Sequence, residues 1–140
     1  MDDKVVTFDF DETLFSLSEE KIGMLWASNT ILKPIQKVHD LLWEKHKEGY
    51  IIDIVTAREA WGIPEIKDYV EEYKLPIRNI VHTAGKPKTH YLLEIGTELH
   101  VDDLLSVVVH AEQHRIPCLL VDDGRHKNNT TADLFTKIII

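Results

Sequence analysis

Val5-Val6-Thr7-Phe8-Asp9-Phe10-Asp11-Glu12-Thr13-Leu14 is an apolar run that closes on two aspartates one residue apart, with a threonine behind them. Val, Thr and Phe favour extended backbone, and a short apolar run of this kind reads as a buried strand. Such a strand does not end on two carboxylates unless cations or hydrogen-bond donors compensate them. Asp9 and Asp11 stand at i and i+2, on one face if the strand extends that far. Paired carboxylates at a strand end point to a divalent cation, to acid–base chemistry, or to both.

Beyond this stretch, short apolar runs alternate with helical patterns. Runs at 50–55, 77–82, 98–101 and 117–121 join 4–10 as strand candidates. Ile35, Val38, Leu41 and Leu42 recur at helical spacing and end near Gly49. Ile63, Ile66, Tyr69, Val70 and Tyr73 mark a second helix that stops before Pro76. Segments 88–95 and 104–114 supply two more. The alternation predicts β-α-β units with right-handed crossovers around a mainly parallel sheet, an α/β architecture in one domain over 1–140. Ligands in such folds sit beyond the carboxyl ends of strands. Asp9 and Asp11, then Thr56-Ala57-Arg58, then Asp102-Asp103 fall at those ends, while Lys86 and Lys88 begin the segment leading to the fourth strand.

The composition fits this class. Of the 140 residues, 44% are hydrophobic and 29% charged, as in a globular protein able to bury a core without disulfides. Cys118 is the single cysteine and sits in Ile116-Pro117-Cys118-Leu119-Leu120-Val121, so it reads as a core residue rather than a nucleophile. No signal-peptide pattern or bilayer-length apolar run occurs, which predicts a cytoplasmic address and no membrane partner. A net charge of −8 argues against broad nucleic-acid binding, which rests on phosphate neutralisation, though not against one phosphate end in a small cationic site.

The ordered set Asp9-Phe10-Asp11-Glu12-Thr13, Thr56-Ala57-Arg58, Lys86 or Lys88, and Asp102-Asp103 resembles the haloacid dehalogenase-like (HAD) superfamily of phosphohydrolases, over essentially the whole chain. Glu12 stands where the superfamily often has Gly. The resemblance implies a three-layer Rossmann-like fold and Mg²⁺-dependent hydrolysis of a phosphate monoester. It makes Asp9 the nucleophile that forms an aspartyl-phosphate and Asp11 the general acid and base. Thr56 would hold a phosphoryl oxygen, and a lysine would offset the oxyanion charge. Mg²⁺ would bridge Asp9, the backbone carbonyl of Asp11 and an acid from Asp102-Asp103. Both lysines fit: Lys86 precedes Pro87, whereas Lys88 follows it, and the fixed φ of Pro87 suits a helix start just before Lys88, which favours Lys88 as catalytic and leaves Lys86 for substrate binding. Arg58 is divided between substrate contact and solvated surface.

Other readings compete at several positions. Thr56 with Glu59 fits a capping box, and Asp102-Asp103 fits a helix N-cap. Val121-Asp122-Asp123-Gly124 repeats the apolar-run-then-Asp-Asp pattern, but its Asp-Gly is a turn signal and the order of segments favours 102–103. His110 and His114 are four apart, yet the intervening glutamate falls one residue late for a zinc-protease motif. His100 stands beside Asp102 and could line the site. Between Thr13 and Thr56 there is room for a short flap, about 15–32, and one helix, and between Thr56 and Lys88 only for one helix and one strand; neither interval admits a separate cap domain. An open site suits a large phosphorylated substrate, or a second subunit acting as a lid. In the flap, Phe15, Met24, Leu25 and Trp26 are expected to bury against the sheet, with packing on a substrate base or on a partner as the alternative. A nucleotidase, a phosphotransferase or a catalytically silent binding module on the same scaffold are the rival functions. A signalling receiver domain fails on order, because Asp53 lies inside a strand and no lysine occurs between Lys88 and Lys127.

Overall fold

A computed structural model describes the backbone of residues 3–21 and 28–140, and the side chains of 3–17 and 32–140. At its centre β1 (Val5–Phe8) pairs in parallel with β4 (Ile51–Thr56) on one side and β6 (Leu99–Asp102) on the other. β5 (Ile77–His82) lies beyond β4, while β7 (Cys118–Asp122) and β8 (Lys137–Ile139) lie beyond β6. All five pairings are parallel. From β1 the chain builds outward through β4 to β5, then returns to the other side of β1 for β6. The switch point therefore falls between β1 and β6, where a crevice opens beyond the carboxyl ends.

Strand alternation divides the apolar residues between two cores. Val6, Phe8, Ile52, Ile54, Val101 and Val121 meet Val38 and Leu42 of α1 (Gln36–Lys47) and Ile66 and Tyr69 of α2 (Ile63–Glu72). Val55, Cys118 and Leu120 meet Leu92 of α3 (Lys88–Ile95) and Val108 and Ala111 of α4 (Leu105–Gln113) on the opposite face. This is the expected three-layer α/β arrangement. Leu42 is fully buried, so its truncation to Ala costs about 2–5 kcal/mol.

β1 ends at Phe8, two residues before the predicted boundary, although the Asp9 amide still donates to the Val101 carbonyl at 2.9 Å. The chain then turns: the Thr13 and Leu14 amides both donate to the Phe10 carbonyl, and Glu12 takes φ +56°. That left-handed conformation is easy for glycine and costs other residues roughly 1–2 kcal/mol. Here a glutamate rather than a glycine bears the strain.

The flap is a hairpin of β2 (Phe15–Lys21) and β3 (Ser28–Pro34), paired antiparallel from Phe15 with Pro34 to Lys21 with Ser28. Its base is closed by the Ile35 amide on the Leu14 carbonyl at 2.9 Å. Phe15 buries in the α1–α2 core as expected; Met24, Leu25 and Trp26 lie outside the described residues. Among the described residues no cap domain is inserted. The hairpin strands and β8 were not among the strand candidates.

Candidate active site

Asp9 follows β1 and Asp102 ends β6, so the parallel pairing of these strands sets two carboxylates side by side at the switch point. Lys88, the first residue of α3, reaches between them: its ammonium donates to Asp9 Oδ1 at 2.8 Å and Asp102 Oδ2 at 2.7 Å. All three side chains are buried. Burial, then the neighbouring Asp102 charge, hold the Asp9 carboxyl well above its usual range despite the ammonium. For Lys88, burial works against the charge, but Asp9 and Asp102 outweigh it and hold the ammonium above its ordinary value. Asp102 goes the other way. Burial opposes its ionisation, yet the hydrogen bond from His100 and the Lys88 charge hold it well below the usual carboxylate range.

His100 lies beneath this cluster, fully buried on the same strand face as Asp102. Its Nε2 is 2.9 Å from Asp102 Oδ2, and its Nδ1 is 2.8 Å from Thr7 Oγ1. An ionised Asp102 only accepts, so Nε2 carries the hydrogen and the Thr7 hydroxyl donates to Nδ1. Burial pushes the imidazole pKa down, in keeping with this neutral form. Thr97 Oγ1, 3.0 Å from Thr7 Oγ1, continues the chain. Asp102 Oδ1 accepts from the Leu104 amide at 3.1 Å, so this aspartate orders the turn ahead of α4 as well.

Asp103 completes the group. The buried Thr13 hydroxyl lies 3.0 Å from Asp9 Oδ2 and 3.1 Å from Asp103 Oδ1, bridging the two acids. Arg125, in the loop after β7, donates to Asp103 Oδ2 at 2.9 Å and also pairs with Asp123 and Glu12. His126 Nε2 donates to the Asp103 carbonyl at 3.1 Å. The rival pair, Asp122-Asp123, orders this loop: Asp122 accepts from the Gly124 amide and Asp123 is held by Arg125.

Asp11 is placed differently. Its carboxylate receives two bonds from Arg58, 2.9 Å from Nε and 2.7 Å from Nη2. The same guanidinium reaches Glu65 at 2.7 Å and the Gly62 carbonyl at 3.0 Å, and lies over the Phe10 ring at 5.1 Å. Arg58 is thus no free surface residue. Thr56, fully buried at the end of β4, accepts from the Arg58 amide at 3.2 Å. The capping-box alternative is not realised, because α2 starts only at Ile63 and a 3₁₀ turn, Ala60–Gly62, intervenes. Lys86 is exposed in the loop before α3, whereas Lys88 joins the carboxylates. His110 is turned to Thr89, at 2.7 Å, and meets His114 edge to face.

Carboxylate oxygens of Asp9, Asp102 and Asp103 lie within 4.8 Å of one another. Three buried acids face two cations, Lys88 and Arg125, and an all-oxygen set of this kind fits a hard divalent cation such as Mg²⁺. The Asp11 side chain does not belong to the set. Of the contributors that sequence reading missed, Thr7 carries a signal, since alternation places it and His100 on the Asp102 face; Arg125 carries none.

No protein-family model and no curated protein sequence matches the chain. Solved structures do. A chain of the Pnkp1/Rnl/Hen1 complex superposes with a TM-score of 0.64 at 18% identity; the match covers 84% of this chain but only 45% of that one. The 3-deoxy-D-manno-octulosonate 8-phosphate phosphatase of Moraxella catarrhalis, crystallised with magnesium, phosphate and KDO, gives 0.60 at 16% identity, over 99% of this chain and 76% of that one. The cobalt-bound deoxy-D-mannose-octulosonate 8-phosphate phosphatase of Haemophilus influenzae gives 0.58 at 14%, over 99% and 77%. At such identities the likeness is one of fold: this chain shares with these structures a three-layer α/β fold around a mainly parallel six-stranded sheet.

Proposed function

We propose that the protein is a Mg²⁺-dependent phosphohydrolase acting on a phosphate monoester through an aspartyl-phosphate on Asp9. The observation that carries this reading is the buried set of Asp9, Asp102 and Asp103, the first two bridged by Lys88, at the switch point of a phosphatase-type fold. Asp9, Asp102 and Asp103 would hold Mg²⁺, with the Asp11 carbonyl as a further ligand. When bound, the ion supplies positive charge that neutralises the acids and the phosphoryl oxygens.

An Asp9 carboxylate oxygen attacks phosphorus, the bond to the leaving oxygen breaks, and Asp11 delivers a proton to that oxygen. Water then attacks the aspartyl-phosphate, gives its proton to Asp11, and releases phosphate and free Asp9. Lys88 places a cation beside the attacking carboxylate, Thr56 offers a hydroxyl to a phosphoryl oxygen, and Arg58 and Lys86 supply cations for the substrate at the rim. Asp11 donates a proton only after Arg58 lets it go, and Glu65, already in contact with that guanidinium, is its alternative partner.

Hydrolysis of a generic aryl phosphate with Mg²⁺, with EDTA, and by Asp9→Asn tests the proposal. Metal-dependent turnover abolished in Asp9→Asn is expected. Equal turnover by Asp9→Asn refutes the nucleophile, and absence of turnover by folded wild type across a panel of monoesters refutes the activity.

A further inference from the structure

Resting on that reading, we infer that Trp61 is a stacking platform for a planar ring in the leaving group, which makes monoesters of nucleosides the substrates. Trp61 is 82% exposed, although an indole is among the most favourable side chains to bury. It is also held in place. Its Nε1 donates to Glu59 Oε2 at 2.8 Å, and the 3₁₀ turn that carries it is closed by the Gly62 amide on the Glu59 carbonyl at 2.9 Å. A ring fixed before binding loses little freedom when a ligand stacks on it.

The turn is tied to the site. Arg58 Nη1 donates to the Gly62 carbonyl while the other side of the same guanidinium grips Asp11, so one guanidinium's width separates that carbonyl from the Asp11 carboxylate. Gly62 is packed so tightly on the Arg58 stem that a Cβ there would lie 3.0 Å from Cδ. The turn that carries Trp61 is thus tied through Arg58 to Asp11, the group that the proposed mechanism sets beside the leaving oxygen.

The surroundings fit one ring better than a protein. Glu59, Ala60, Pro64 and Glu65, the exposed neighbours, are charged or small. The apolar area is far below that of a specific protein interface and suits a single base, which any aromatic face accepts regardless of its identity.

The test compares kcat/KM for thymidine monophosphate and for glycerol phosphate in wild type, Trp61→Ala and Trp61→Phe, all with Mg²⁺. Wild type is expected to prefer the nucleotide. Trp61→Ala should lose about tenfold on it, mainly through KM, as expected for one stacked base, while Trp61→Phe retains most of the rate and glycerol phosphate is untouched. Equal rates on both substrates, or an equal loss on both in Trp61→Ala, overturns the platform and leaves the phosphohydrolase standing. No turnover of either by folded wild type overturns the phosphohydrolase and the platform with it.

Discussion

Replacing Lys88 by Met keeps the length and much of the volume of the side chain but removes the cation between two buried carboxylates. In wild type its ammonium makes bonds of 2.8 and 2.7 Å to Asp9 and Asp102, with both acids almost wholly shielded from water. Breaking a buried ion pair by deleting one partner costs about 3–5 kcal/mol, because the remaining charge is stranded. For 140 residues that corresponds to a melting temperature lower by roughly 10–20 °C.

Two conditions should shrink the deficit. Mg²⁺ supplies positive charge to the same oxygens, so the variant should gain more melting temperature from added Mg²⁺ than wild type does. Acid acts through Asp9, whose carboxyl already sits above its ordinary value and rises further without the ammonium. A carboxyl that binds its proton more tightly in the folded state gains stability as pH falls through its folded pKa toward the unfolded value near 3.8. The deficit should therefore be largest above that folded pKa and smaller near pH 5. Thermal melts by circular dichroism at pH 8 and pH 5, with EDTA and with Mg²⁺, read all four combinations. A variant that melts within about 2 °C of wild type at pH 8 in EDTA, on the same conversion, would refute the coupling of these charges.

Four further outcomes are expected. His39 lies 2.7 Å from the Tyr69 hydroxyl, and burial depresses its pKa, so stability should fall as pH drops from about 6.5 through the folded value, and His39→Gln should flatten that slope in pH-resolved melts. His100→Leu removes the donor that orients Asp102 and should weaken Mg²⁺ binding by about 10–100-fold in calorimetry, with no change expected if the histidine only fills space. Asp11→Asn should slow alkyl phosphates far more than p-nitrophenyl phosphate, whose leaving group needs no proton; equal slowing would remove Asp11 from the acid role. Burial pushes the Cys118 thiol up to about 12, so it should resist thiol reagents in the native state and react on unfolding.

The parts of the site that were legible in the sequence are those that strand ends place. Asp9 and Asp102 each stand where an apolar run stops, and parallel pairing of adjacent strands then brings such ends together without further information. Lys88 was separable from Lys86 because Pro87 fixes the backbone just before the helix starts. Contacts made by loops were not legible. Arg125 meets Asp103 across 22 residues of sequence, through a loop whose path depends on β7 and on the turn that Asp122 orders. β8 is only three residues long, too short for periodicity to announce, and in β2 the apolar Phe15 and Leu17 alternate with serines for only a few residues before charged ones take over.

Asp11 shows how far spacing can mislead about placement. Two positions after Asp9, it would share that residue's face only if the strand continued, but β1 stops at Phe8 and the chain turns at Glu12. The turn separates the two carboxylates into unlike surroundings. Asp9 goes inward, among acids and one lysine, where burial makes its charge costly. Asp11 goes to the rim, where a guanidinium shared with Glu65 grips it. The proposed mechanism needs this difference: its nucleophile must stay poised beside phosphorus, and its proton carrier must exchange protons with water and leaving groups. The stop of β1 at Phe8, with the turn built on the Phe10 carbonyl, is what gives the two aspartates these unlike surroundings.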